Sequence, residues 1–121
     1  MEFDANRPIW LQVMKALEMD VITGKRKPGE KLPGGRDLAL SYGINPNTAA
    51  RVYQELERAN LCETRRGMGT FVTEDRGKLE AVRQELAREA VDRFLGQLGK
   101  LGLSREDAVR LIHAAEPADR T

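Results

Sequence analysis

The chain has 121 residues, 40% of them hydrophobic and 32% charged, with a net charge of +1. That length fits one domain, or one plus a small appendage, and the apolar content excludes a disordered chain. The single cysteine, Cys62, excludes an intramolecular disulfide, and the near-neutral charge gives no global signature of nucleic-acid binding, although it can hide a basic face.

The N-terminal MEFDANRP has neither a basic n-region nor an apolar core, so it does not read as a signal peptide. No run approaches the roughly 18 apolar residues of a membrane span. The expectation is a cytoplasmic protein without membrane contact, at the nucleoid when it is bound to DNA. Trp10, Met14, Leu17 and Val21 recur at helical spacing, which predicts a first helix over about Pro8 to Thr23. Pro8 suits the first turn. Gly24 stops the helix, and Lys25-Arg26-Lys27 follows before a Pro28-Gly29 turn. This basic cluster reads as a helix end favoured by the dipole, with phosphate contact as the other reading. Glu30-Lys31-Leu32-Pro33 is extended, because the residue before proline is pushed out of the helical region.

A second helix is predicted from about Gly35 to Tyr42, ended by Gly43. Asn45 is then an N-cap and Pro46 a first helical residue with no N–H to leave unpaired, so the proline starts a third helix that runs to about Ala59. Two helices joined by a tight glycine turn make a helix-turn-helix. Residues near 61 to 65 and 69 to 73 are strand-like, with Arg66-Gly67-Met68-Gly69 as the loop of a hairpin. A helix-turn-helix followed by a β-hairpin is a winged helix.

Helical pattern returns from Asp75 to about Leu101, with a broad apolar stripe that includes Leu79, Val82, Leu86, Ala90, Val91, Phe94, Leu95 and Leu98. Ser104 caps a last helix with Asp107 as a capping-box partner, and Leu111 and Ile112 lie on its apolar face. Pro117 marks its end, and the residues after it are expected to fray. The fold class is thus mainly α with a small β-hairpin wing: a winged helix-turn-helix over 1–73, then a short two-helix dimerisation tail over 74–121. Residues 1–73 carry 11 Lys+Arg and 9 Asp+Glu, a net of +2; the remainder carry 9 and 10, a net of −1, so the basic excess sits with the winged helix.

A helix that reads DNA shows polar or basic side chains to the groove and apolar ones to the core. Val52 and Leu56, with Ala49 and Tyr53, point inward at helical spacing. That leaves Asn45, Asn47, Thr48 and Arg51 at the end that enters a major groove. Asn pairs with adenine, Thr meets a thymine methyl or a phosphate, and Arg grips guanine or phosphate. Asn45 also caps the helix with or without DNA, and Arg51 also reads as a solvated residue. The wing adds Arg65 and Arg66 before Gly67, and Thr70 after the tip. Adjacent arginines on a protruding glycine loop suit a minor groove or phosphate, although a plain tight hairpin also needs glycine. Arg36, in the first turn of the second helix, faces the DNA backbone that this helix would cross.

Enzymatic readings fail. Gly67-Met68-Gly69 lacks the following helix and lysine of a phosphate loop, and no Ser/His/Asp set or metal-spaced cluster occurs. His113 has no second His or Cys to complete a metal site, and no cofactor is implied. Cys62, beside Leu61, reads as a small buried residue.

The ordered set Pro28-Gly29-Glu30-Lys31-Leu32-Pro33, Arg36-Asp37-Leu38-Ala39, Gly43-Ile44-Asn45-Pro46-Asn47-Thr48, Leu56 and Gly67-Met68-Gly69-Thr70-Phe71-Val72 resembles the DNA-binding domain of the GntR family of bacterial transcriptional regulators. It covers about residues 8 to 73. Asn-Pro-Asn-Thr with a short helical tail containing Leu103-Ser104-Arg105-Glu106-Asp107-Ala108 is similar to the YtrA subfamily. The resemblance implies a dimer on a palindromic double-stranded operator, usually as a repressor, often of a neighbouring transporter operon. It implies DNA contact at Arg36, Asn45, Asn47, Thr48, Arg66, Gly67 and Thr70; Arg51 and Arg65 are added by the physical argument. Where this chain has Gly34-Gly35 the family commonly has Ser or Ala and then a polar residue, so a phosphate-binding hydroxyl is missing. Neither Pro46 nor Ala50 is the basic residue that many members carry there.

Two helices of the tail's size rarely make a core alone, and they cannot wall off a cavity of several hundred Å³. Their stripe therefore calls for a partner, and a two-fold homodimer through Leu79 to Leu101 and the last helix is expected. Packing of the stripe on the chain's own winged helix is the competing reading. The functional alternatives are a winged helix used as a protein-interaction module, without specific DNA binding, and a switch gated by a small-molecule effector of unknown identity bound between the domains or at the dimer interface.

Overall fold

The computed structural model describes residues 1–117; the fraying expected at the C-terminus lies outside the described residues. The chain divides into two compact units, Met1–Arg83 and Gln84–Thr121.

The first unit begins with α1, Ile9–Ile22, capped by Pro8. Val13, Met14, Leu17 and Val21 are buried at helical spacing, as the apolar stripe predicts. Trp10 is half-buried against the same core. Two polar side chains of α1 are also buried, Gln12 and Glu18. Buried polar atoms need partners, and both have them. The Gln12 amide donates to the carbonyls of Asp4 (2.8 Å) and Arg7 (3.0 Å), and its Oε1 accepts from the Asp4 N–H (2.8 Å). Gln12 thereby ties down the segment before the helix. Glu18 pairs with Lys15 at 3.2 Å.

The helix-turn-helix consists of α2, Gly35–Tyr42, and α3, Pro46–Arg58. Gly34 caps α2 without a side-chain hydrogen bond. Gly43 ends it at φ +66°, a left-handed conformation that costs glycine little. Its neighbour Ile44 returns its N–H to the Ala39 carbonyl at 2.9 Å. Asn45 caps α3 by accepting the Asn47 N–H, and Pro46 occupies the first turn. Leu38 and Ala39 of α2 and Ala49, Val52 and Leu56 of α3 join α1 in one core. The half-buried Tyr53 hydroxyl donates to the Pro33 carbonyl, which holds the extended segment against α3.

The wing pairs β1, Cys62–Arg65, with β2, Gly69–Val72, in antiparallel register: Cys62 opposite Val72, Thr64 opposite Thr70, Arg65 opposite Gly69. The extended Glu30–Leu32 segment lies alongside β2 through an isolated bridge. Lys31 bridges Phe71, Leu32 N–H donates to Thr70 (2.8 Å), and Val72 N–H donates to Glu30 (2.8 Å). Burial of Leu32, Leu61, Cys62 and Val72 closes the core over the sheet.

The helix α4, Arg76–Lys100, is a single element that starts in the first unit and continues into the second. Leu79 and Val82 sit half-buried against the winged-helix core. Both were expected in the dimer contact; the structure gives them a partner within the chain, and the first compact unit accordingly reaches past Thr73 to Arg83.

The second unit contains the rest of α4 and then α5, Arg105–Ala114. The capping box at the start of α5 is complete: Ser104 Oγ accepts the Asp107 N–H (3.1 Å), and Asp107 accepts the Ser104 N–H (2.7 Å). These Ser104 hydrogen bonds, reinforced by nearby Arg110, lower the pKa of the Asp107 carboxyl. Leu98 and Ala108 are buried in this unit, while Leu86, Phe94 and Leu95 are only half-buried. Ala90 and Leu111 stand exposed, as do Val91 at 52%, Leu101 at 73% and Ile112 at 60%.

Candidate nucleic-acid interface

Burial sorts the faces of α3. Ala49, Val52 and Leu56 point into the core, so the opposite side carries Asn47 and Arg51, both exposed. Gln54 stands exposed on the same outward side, three residues after Arg51, and sequence reasoning did not single it out. Its helical spacing from Asn47 and Arg51 was the available signal. Thr48 is half-buried beside them. Asn45 is exposed; its Oδ1 accepts the Asn47 N–H at 2.7 Å, while its amide donors remain for a ligand.

Arg51 is held in place. Its guanidinium carbon lies 4.1 Å from the centroid of the Trp10 ring. Stacking occupies the face of a guanidinium and leaves its edge N–H groups free. Those edge groups are the ones that pair bidentately with guanine. The sequence places Trp10 on a core stripe; the structure makes it also the platform for Arg51.

The wing's two arginines differ. Arg66 is exposed and makes no ion pair among the described residues. Arg65 is half-buried, pairs with Glu63 at 3.1 Å and stacks over Phe71 at 4.3 Å. Its neighbours therefore assign Arg65 first to the wing's own structure. Gly67 is exposed at the tip, and Thr70 is half-buried with its carbonyl in the sheet. Gly69 has φ +120°, and a Cβ there would stand 3.0 Å from the Lys31 side chain. Lys31 thus runs alongside the wing, a basic group that sequence reasoning missed because its strand pairing is non-local. Met68, 59% exposed between the two glycines, was also missed. An apolar side chain at such a tip is the kind that wedges into a minor groove.

Arg36 is exposed in the first turn of α2 and has no ion pair among the described residues. Two of the three basic side chains after α1 face carboxylates: Lys25 lies 4.0 Å from Asp20, and Arg26 lies 3.4 Å from Glu30, while Lys27 is exposed. That favours the helix-end reading over phosphate contact.

The one thiol is not a nucleophile. Burial pushes the Cys62 thiol up to about 12 from its ordinary 9.0, and the Tyr53 hydroxyl up to about 12 from 10.0. Both groups hold their protons more tightly folded than unfolded. Their contribution to stability is therefore full below about pH 9 and is lost as pH rises towards 12. Urea midpoints should fall steadily over that alkaline window, and iodoacetamide should label Cys62 only after unfolding. Labelling of the native protein at neutral pH would contradict this placement.

Comparison with known proteins agrees with the geometry. The model of the family described as bacterial regulatory proteins, gntR family, matches residues 10–72. The HTH-type transcriptional regulator YhcF of Bacillus subtilis (strain 168) is 37% identical over 111 residues, 92% of this chain and 92% of that protein. The HTH-type transcriptional repressor YtrA of the same organism is 35% identical over 94 residues, 73% of this chain and 72% of that protein. The solved structure of a GntR family transcriptional regulator from Listeria monocytogenes superposes with a TM-score of 0.85 at 32% identity, covering 94% of this chain and all of that one (100%). With its helix-turn-helix, its wing and these relatives, the chain belongs to the gntR family of bacterial regulatory proteins and is a DNA-binding transcriptional regulator, not an enzyme.

Proposed function

We propose that the protein is a cytoplasmic, homodimeric repressor that binds a palindromic operator. The N-terminal half of α3 lies in the major groove, with Asn47, Thr48 and Arg51 against base edges and phosphates. Asn45 contributes its free amide donors, and Arg36 meets the backbone. The wing adds Arg66, Gly67 and Thr70 at the neighbouring minor groove, with Arg65 shaping the strand behind them. The carrying observation is the two-sidedness of α3: a fully buried Ala49-Val52-Leu56 side and an exposed polar side on which Arg51 is braced by Trp10. Repression is favoured by the similarity to YtrA, which is named a repressor.

Residues 1–73 form the DNA-binding domain and residues 74–121 dimerise it. The exposed Val91, Leu101 and Ile112, with Phe94 and Leu95 beside them, supply the apolar surface for a second copy. Dimerisation also answers the low net charge. Each half makes few phosphate contacts, and joining two halves multiplies their effect. Half-sites then lie about one helical turn apart, roughly 10 base pairs, or a multiple of it.

Measured by fluorescence anisotropy on a selected site, log affinity should fall linearly with log salt, as expected when phosphate contacts release counterions. Affinity independent of salt would support the protein-interaction module instead.

A further inference from the structure

A cleft of about 430 Å³ lies within the first compact unit, between the end of α1 and the first turns of α4. The two tail helices alone are too small to enclose a ligand cavity, and an effector site is expected between the winged helix and the tail or at a dimer interface; this cleft lies where α4 meets the winged helix. The volume falls in the range of small-molecule sites, about 300–1,000 Å³. Its floor is apolar, with Ile22, Pro28 and Leu79; its rim is charged, with Arg76, Glu80 and Arg83. The α4 residues recur at helical spacing, so they form one face of that helix. The same helix also reaches the core with Val82, which is only half-buried, as is Leu79. The base of α4 therefore rests on the core beside a gap that protein atoms do not fill.

The rim charges do not cancel. Arg83 is ion-paired with Glu80 one turn before it, and Arg76 makes no ion pair among the described residues. The site carries one positive charge in excess above an apolar floor. A bare inorganic anion would have only an exposed arginine to hold it, which is a weak attraction. A neutral apolar molecule would leave the arginine unused. We propose that this cleft binds an organic monocarboxylate with an apolar body, its carboxylate on the Arg76 guanidinium and its body on Ile22, Pro28 and Leu79.

Occupancy also has a mechanical consequence. Because α4 continues from this cleft into the tail as a single helix, a ligand between it and α1 fixes how its base is seated. In a dimer on DNA that seating sets the geometry of the two reading helices, so the ligand alters operator affinity. This regulatory half rests on the operator reading above; the binding half does not.

The test titrates 2-naphthoate and octanoate, each beside its neutral carboxamide, into the 15N-labelled full chain and into Arg76→Gln. Arg76 is exposed in the first turn of α4, so the substitution leaves the core intact. The expected result is amide shifts confined to residues near 21–28 and 76–83. The carboxylate should be preferred roughly two- to fivefold over its amide in the parent, and that preference should vanish in Arg76→Gln. Absence of shifts at millimolar carboxylate, shifts elsewhere, or an equal preference in both proteins would overturn the site. Operator affinity unchanged at saturating carboxylate, with the shifts present, would overturn the regulatory half alone.

Discussion

Replacing Leu111 and Ile112 together by glutamate should turn the protein into a monomer and weaken operator binding by about 10²–10⁴-fold. Both side chains are exposed in the chain by itself, at 47% and 60%, so the substitution costs little within the protomer. In a dimer the same positions would bury two charges per copy without partners, at a cost of several kcal/mol each. The affinity loss follows because each winged helix would then bind its half-site alone. Sedimentation of the variant and the parent at micromolar concentration, beside circular dichroism to show that both remain helical, checks the first half. Anisotropy on a two-half-site duplex checks the second. A parent that sediments as a monomer would remove the premise.

The double substitution Arg51→Ala with Arg66→Ala should cost more operator affinity than either change alone, with about 1–3 kcal/mol of the loss from Arg51 as a base contact. The two halves of that loss should differ in kind. Arg51 has its guanidinium face against Trp10 and its edge free, an arrangement that favours base readout, so Arg51→Ala alone should relax preference at one base pair of each half-site. Arg66 stands free on the wing, so Arg66→Ala should weaken all sequences alike and flatten the salt dependence. Arg65→Ala is expected to act chiefly on the wing, because Arg65 already has Glu63 and Phe71 as neighbours.

The elements themselves were written plainly in the chain. The span of α2 could be read from its punctuation, Gly34 before and Gly43 after, and the start of α3 from Asn45-Pro46. The same holds for α5, where Ser104 and Asp107 cap reciprocally. These are local signals, carried by backbone conformation and by hydrogen bonds over three residues. Periodicity likewise predicted which side of α3 is buried.

Long-range partners were not legible. An apolar stripe on α4 says that one face seeks burial, not against what. Leu79 and Val82 meet the winged-helix core, whereas Val91 and Ile112 stay more than half exposed, at 52% and 60%. Gln12 and Glu18 sit buried on a helix whose pattern alone would leave polar residues outside; their partners, Asp4, Arg7 and Lys15, supply the reason. Lys31 reaches the wing through a strand pairing with Phe71 that spans most of the helix-turn-helix. Trp10 and Arg51 come from different helices, and only packing of α1 on α3 brings them to 4.1 Å. The candidate interface was therefore visible as a set of residue types, while the bracing that orients Arg51 and the diversion of Arg65 into the hairpin were not.

In the proposed binding mode, α3 and the wing of two copies read DNA as a symmetric pair. Selection of binding sites from random duplex DNA by the purified protein tests it most directly, because binding, symmetry and spacing are scored together. The expected result is an enriched palindrome whose half-sites lie roughly 10 base pairs, or a multiple of it, from centre to centre. Recovery of no enriched sequence, or of one asymmetric site bound by a single copy, would contradict it.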